Sequence, residues 1–235
     1  MSGEFDQYLT RYYSQETTRL HENAATVLEH HGKHFPADRN AAILEIGPGT
    51  GTLMGFLHRS CGYRNIKAVD ISPEVANACN GVLPGSTTLV SDTTEFLQQQ
   101  TEAYDFVLML HALEHIPKDM VLSLLRAIHA ALRPKGKLVI EVPNCEHPVV
   151  GTRNRYVDFT HTTGFTDLSL RFVLENSGFS GVSVYGCKIP RKSLTRFVQR
   201  TAQDTLELLL GMMVRLYKPH DRLILASILG ACGTK

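Results

Sequence analysis

The stretch AAILEIGPGTG (41–51) decides how the rest of the chain is read. Residues 41–46 are apolar except for Glu45, as expected of a buried strand. Gly47-Pro48-Gly49-Thr50-Gly51 then turns the chain into a second apolar segment, Leu53-Met54-Gly55-Phe56-Leu57, which predicts a helix near 51–60. Glycine lets a backbone approach a ligand closely, and a helix start offers unsatisfied N–H groups. A strand, a glycine turn and a helix therefore make a crevice for a small ligand.

Alternation continues outward from this unit. A strand at 66–69 leads to a helix opened by Ser72-Pro73-Glu74, with serine as N-cap and proline at the first helical position. A strand at 87–90 leads to a helix opened by Asp92 or Thr93. YDFVLML (104–110) is a continuous apolar strand, the pattern of a parallel strand covered on both faces. A helix over 119–132 shows one apolar stripe, a turn is expected at Arg133-Pro134-Lys135-Gly136, and a fifth strand follows at 137–142. Repeated βα units predict a doubly wound parallel sheet, Rossmann-like, with helices on both faces.

Either side of this core the rhythm differs. Residues 4–31 read as helical, with Tyr8 and Tyr12 on the same face as Leu20 and Val27, so 1–38 is expected to form an N-terminal helical cap. Tyr8, Tyr12 and Tyr13 suit either a lid or a packing face. Residues 143–166 read as a polar loop, followed by a helix at 167–177 closed by Gly178 and a strand at 179–185. The core is assigned to 39–188. A helical insertion at 189–220 carries a long helix, 192–216, ended by Pro219, before a last strand at 223–229. All 235 residues are read as one domain.

Composition narrows the classes. Lys+Arg (24) and Asp+Glu (23) nearly cancel, so no nucleic-acid partner is predicted. The five cysteines are odd in number and form no CxxC pair, which suits free thiols in a reducing compartment. The polar start, MSGEFDQYLTRYYSQE, lacks the apolar core of a secretory leader, and no apolar run reaches the roughly 18 residues of a membrane span. The expected location is cytoplasmic.

The ligand follows from the strand ends. Asp70, after the second strand, is placed to accept both hydroxyls of a ribose, and Asp92, after the third, to meet an adenine amino group. Either aspartate also suits an N-cap. The G-P-G-T-G spacing departs from the G-x-G-x-x-G of dinucleotide folds, which disfavours a nicotinamide dehydrogenase. LEIGPGTG (44–51), KAVDISPE (67–74), SDTTEF (91–96), YDFVLMLHALEHI (104–116) and LRPKGKLVIEVPN (132–144) together resemble the class I S-adenosylmethionine (SAM) dependent methyltransferases, in particular small bacterial ones of the methyltransferase type 11/23 group. The resemblance implies a seven-stranded sheet with an antiparallel last strand. It implies that Glu45, Gly47, Gly49 and Gly51 surround the methionine part of SAM, that Asp70 and its neighbour Ile71 meet the ribose, that Asp92 and Thr93 face adenine, and that His111 lies beside the sulfonium.

His111-Ala112-Leu113-Glu114-His115 directly follows the fourth strand, and His161 lies in the loop after the fifth. Histidine exchanges a proton near neutral pH, so His115 and His161 are the candidate catalytic bases, with His111 as a rival to His115. The pattern resembles the ExxEH…H site of small-RNA 2′-O-methyltransferases and the ExxEH of ubiquinone-pathway O-methyltransferases, which take a divalent ion. His, Glu and His within five residues suit a divalent metal, but here His111 replaces the first glutamate and Mg²⁺ prefers oxygen, so a metal is the less favoured reading and no metal site is assigned. The stretch 156–179, with Asp158, Thr160, His161, Phe165, Thr166 and Ser169-Leu170, is similar to a phrase of small bacterial methyltransferases found with polysaccharide and lipopolysaccharide assembly. That resemblance implies a sugar or glycolipid hydroxyl as acceptor, and Arg153, Arg155, Asp158 and His161 suit a polar one. Methylation of carbon or nitrogen in a small metabolite such as a quinone is the alternative, and a catalytically silent SAM-binding scaffold is another. The helix 192–216, basic at its start and apolar later, suits packing on the core or in a homodimer, or contact with a membrane surface.

Overall fold

The computed structural model describes residues 9–10, 24–217 and 223–235. The N-terminal tyrosines, most of the helix expected over 4–31, and Pro219 lie outside the described residues. Seven strands form one sheet: β1 (Ile43–Ile46), β2 (Ile66–Asp70), β3 (Thr87–Leu89), β4 (Tyr104–Leu110), β5 (Leu132–Pro143), β6 (Ser180–Cys187) and β7 (Ile228–Thr234). Their order is β3-β2-β1-β4-β5-β7-β6. β1 to β5 pair in parallel, and β7 runs antiparallel between β5 and β6. The order reverses between β1 and β4, so a crevice opens at the carboxyl ends of these two strands.

The period-2 rule distributes the strand side chains over two faces. Leu44, Ile46, Val107 and Met109 enter one apolar cluster with α5 (Val121–Ala131) and α7 (Asp167–Glu175). Ile43, Phe106 and Leu108 enter the other, with α1 (Ala24–His31) and α2 (Thr52–Arg59). Burial on both faces explains the unbroken apolar runs of these strands. Ser72 caps α3 (Pro73–Val82), and Asp92 caps α4 (Thr93–Gln98), as the sequence predicts.

Three boundaries differ from expectation. The predicted turn at 133–136 is an irregularity inside β5, since Leu132 pairs with Tyr104 and Lys137 with Phe106. Lys135 adopts the left-handed conformation there, and Arg133 pairs with Asp105 at 2.7 Å. The loop expected over 143–166 contains a short helix, α6 (Gly151–Tyr156). The last strand is Ile228–Thr234 instead of 223–229. Asn144 Nδ2 donates to the carbonyls of Ile224 and Ala226 at 2.7 and 2.8 Å, and Asn154 Nδ2 to that of Ser227 at 2.8 Å, which holds 223–227 in a side-chain-bonded connection. The true strand contains Gly230 and Gly233, poor strand formers that close packing requires. A Cβ on Gly230 would fall 2.5 Å from the Tyr185 ring, and one on Gly233 2.9 Å from Phe179.

The long helix α8 (Leu194–Tyr217) has no buried residue. Packing on the core therefore does not account for its apolar side chains. Its start is tied down by charge: Asp204 pairs with Lys188, Arg191 and Arg200 at 3.0, 2.9 and 2.9 Å, and Lys192 reaches Glu29 of α1 at 2.6 Å. Among the described residues, no helix is long and apolar enough to cross a membrane.

Candidate active site

The glycine turn sits at the β1/β4 crevice, and its conformation is one that side chains resist. Gly47, Gly49 and Gly51 have φ of 70°, 56° and 73°. A Cβ on Gly47 would lie 2.9 Å from that of Ala112, and one on Gly51 3.0 Å from Cys79 Cα. The Gly47 N–H donates to the Val69 carbonyl at 3.1 Å, which ties the turn to β2. Glu45 is the last but one residue of β1, just before this turn. It is buried, its Oε2 finds no hydrogen-bond partner, and burial raises its pKa to about 8. An orphaned buried carboxylate is expensive unless a cation or a donor reaches it.

Asp70 ends β2 on the same edge. One oxygen accepts the Ser72 N–H at 2.7 Å, and burial raises the pKa to about 6. Ile71 follows, partly exposed. Asp92 uses Oδ1 to cap α4, accepting from the N–H groups of Thr94 and Glu95 at 2.6 and 3.0 Å, and Thr93 opens that helix. The capping role foreseen for Asp92 is thus real.

His111 stands just beyond β4 in the left-handed region, at φ 52°. Its N–H donates to the Glu141 carbonyl at 2.8 Å. The ring sits between two buried carboxylates, with Nε2 3.2 Å from Glu141 Oε1 and Nδ1 3.5 Å from Glu114 Oε1. Although burial alone would lower it, hydrogen bonds and charge from Glu114 and Glu141 raise the His111 pKa to about 10.

His115 and His161 meet through a clip between two loops. The N–H groups of Thr162 and Thr163 both donate to the Glu114 carbonyl, at 2.9 and 3.0 Å, and Thr163 Oγ1 donates to that of Ile116 at 2.7 Å. This fastens the second loop onto the 3-10 turn Leu113–His115. The two imidazoles then stand edge to face, 4.9 Å between centroids. Hydrogen bonding sets their tautomers. Thr160 Oγ1 lies 2.6 Å from Asp158 Oδ1, and an ionised carboxylate can only accept, so the hydroxyl proton points there. The same hydroxyl oxygen must then accept from His115 Nδ1 at 2.9 Å, which makes Nε2 the basic nitrogen. His161 Nδ1 likewise donates to the Asn154 carbonyl at 3.0 Å. Burial lowers the His115 pKa, and so does the neighbouring His161, while Glu114 opposes them.

The arginines of the loop divide. Arg155 is occupied holding the carbonyls of His161 and Thr162, and its guanidinium lies against Tyr156. Asp158 orients Thr160. Arg155 and Asp158 thus brace the loop itself; Arg153 is exposed.

Glu141 escaped the sequence reading, as did the part Thr160 plays beside His115. Glu141 interrupts the apolar run LVIEV, and a lone acid inside a doubly buried strand is the signal that could have found it. Its Oε2 is 2.6 Å from His31 Nε2, so it joins α1 to the His111 edge of the crevice. His111, His30 and His31 hold its pKa well below the usual carboxylate range against the opposing pull of burial.

A family model described as a methyltransferase domain matches residues 6–184, well over half of the chain. No curated protein matches it. Among solved structures, the chain is similar to a SAM-dependent methyltransferase from Archaeoglobus fulgidus, at 22% identity and TM-score 0.68, over 95% of this chain and 100% of that one. It is similar to phosphoethanolamine N-methyltransferase 2 of Haemonchus contortus in complex with SAM, at 17% identity and TM-score 0.64, over 98% of this chain and 60% of that one. A SAM-dependent methyltransferase from Aquifex aeolicus gives 15% identity and TM-score 0.57, over 92% of each chain. These likenesses agree with the seven-stranded order, and the family match over residues 6–184 settles membership: the chain belongs to the methyltransferase-domain family and is a class I SAM-dependent methyltransferase.

Proposed function

We propose that the protein methylates a hydroxyl of a small polar acceptor, a sugar or glycolipid, and that His115 takes the hydroxyl proton. SAM supplies a methyl group on a positively charged sulfur. The crevice suits it: Glu45 offers a buried oxygen, Oε2, without a hydrogen-bond partner, Asp70 offers an acceptor for ribose hydroxyls, and the left-handed Gly47, Gly49 and Gly51 let the turn pack tightly beside them. In this reading Ile71, Asp92 and Thr93 line the nucleoside end and Gly49 the turn.

The observation that carries the oxygen chemistry is the chain Asp158–Thr160–His115. A hydroxyl is a poor nucleophile until its proton leaves, whereas a free amine needs no such help. His115 is held in one tautomer, with Nε2 as the accepting nitrogen, and its lowered pKa keeps the ring neutral at pH 7. His111 is unsuited to this work because both of its nitrogens face carboxylates. His161, against the His115 ring, orients the acceptor. Exposed Tyr156, Val157 and Phe159 on the same loop offer an apolar rim beside Arg153, which suits an amphiphilic acceptor such as a glycolipid.

The test is product analysis. Protein, labelled SAM and a panel of sugars and glycolipids should give S-adenosylhomocysteine and a methyl ether. Label on nitrogen or carbon, with His115→Gln at full rate, would favour the small-metabolite alternative and sink the oxygen reading.

A further inference from the structure

On the side of Glu141 away from His111 lies a second cluster that methyl transfer does not use. His30, His31, Glu141 and Cys187 each bring one donor atom, and these four atoms lie within 4.8 Å of one another. They come from three elements, α1, β5 and β6. His31, Glu141 and Cys187 are buried. We propose that these four side chains form a tetrahedral zinc site that pins α1 to the sheet.

The orientation of His30 is the first argument. Its Nε2 lies 2.9 Å from the Lys188 carbonyl, which can only accept, so Nε2 carries the proton. Nδ1 is then the nitrogen with the lone pair. It is buried, has no hydrogen-bond partner, and points at Glu141 Oε2 from 3.6 Å. A lone pair facing a carboxylate requires a cation between them, either a proton or a metal. His31 repeats the arrangement, with Nε2 on Glu141 Oε2 at 2.6 Å and Nδ1 on the Tyr185 hydroxyl at 2.7 Å. Each imidazole thus aims one nitrogen at the centre and has the other held by an outer oxygen, as metal-ligating histidines do.

The donor set gives the metal. Two imidazoles, one carboxylate and one thiolate match zinc in type and number, and their two negative charges balance Zn²⁺. Binding forms a Zn–S bond and releases the Cys187 proton, and the protons held between Glu141 and the two imidazoles leave for solvent with it. Room for the cluster depends on Gly230, where a Cβ would lie 2.9 Å from Cys187 Sγ and 3.0 Å from the His31 ring. Glu141 presents Oε2 to the cluster and Oε1 to His111, so the metal would be one carboxylate away from the crevice. The rival group, Glu114, His115 and His161, has three donors and no sulfur.

Untagged full-length protein, stripped with chelator and titrated with Zn²⁺ and separately with Co²⁺, tests the site. The expected result is one metal per chain, and a thiolate-to-cobalt charge-transfer absorption in the near ultraviolet. Cys187→Ser should abolish that absorption, and His30→Gln should weaken zinc binding by at least about tenfold. His161→Asn should change neither. Failure of the unmutated protein to bind either metal overturns the proposal, whatever the variants do. So does a cobalt complex lacking the charge-transfer band, one whose band survives Cys187→Ser, or metal lost on His161→Asn. SAM binding is measured separately on the same samples, so a missing metal does not count against methyl transfer.

Discussion

Glu45 is a carboxyl that ionises near 4.5 in an open chain and near 8 in the fold. Because the folded pKa is the higher one, its contribution to stability is complete below about 4.5 and is lost as pH rises through 8. Between pH 5 and 8 the unfolding free energy of the SAM-free protein should therefore fall, relative to Glu45→Gln, by roughly 2–4 kcal/mol. Urea titrations of both proteins at several pH values measure this; parallel curves would contradict it. His115 carries the second residue-scale prediction. His115→Gln should lower kcat roughly a hundred- to ten-thousandfold while barely changing SAM affinity. Thr160→Val, which removes the acceptor for His115 Nδ1–H, should cost about tenfold. The acid limb of kcat should lie below the ordinary histidine pKa of 6.5, since burial and His161 lower that of His115.

At the scale of elements, the strand–turn–helix unit works because Gly47 has φ 70° and its missing Cβ leaves Ala112 its place. Gly47→Ala should destabilise the protein by about 2–4 kcal/mol, from left-handed strain plus overpacking, and weaken SAM binding. Chemical denaturation reads the first effect and calorimetry the second. This unit was legible in sequence because its signals are local: an apolar run, closely spaced glycines, Ser72 before Pro73, Asp92 before Thr93. The last strand was not. Whether 223–229 or Ile228–Thr234 pairs depends on Asn144 and Asn154, which bond the carbonyls of Ile224, Ala226 and Ser227 from far along the chain. The site divides in the same way. His115 and His161 could be named from their motifs, but Thr160 as the link that fixes the His115 tautomer could not. That link requires 158–166 to fold back onto Leu113–His115, a contact made by backbone atoms that carry no sequence signature.

Across the whole molecule, the β1/β4 reversal brings Glu45, Asp70 and the glycine turn to one edge of the sheet, and the residues between β5 and α7 fold back beside His115, where the proposed acceptor would sit. Ligand binding and global stability are linked through that edge. SAM at a hundred times its Kd should stabilise the fold by about 2.7 kcal/mol, seen as a rise in Tm. Asp70 titrates near 6 in the SAM-free protein. A ribose hydroxyl donates best to the ionised carboxylate, so Asp70 should add a fall in SAM affinity as pH drops through 6, by up to about tenfold per unit, on top of the fall that Glu45 imposes as pH drops below 8. Asp70→Asn should remove the added fall. The most direct measurement is calorimetric titration of SAM at pH 7 in buffers of different ionisation enthalpy. It should show one SAM per chain, with proton release as Glu45 loses its proton to the cationic ligand, and Glu45→Gln should bind more weakly and release none. Absence of SAM binding, or binding unchanged by both Glu45→Gln and Asp70→Ala, would contradict the account.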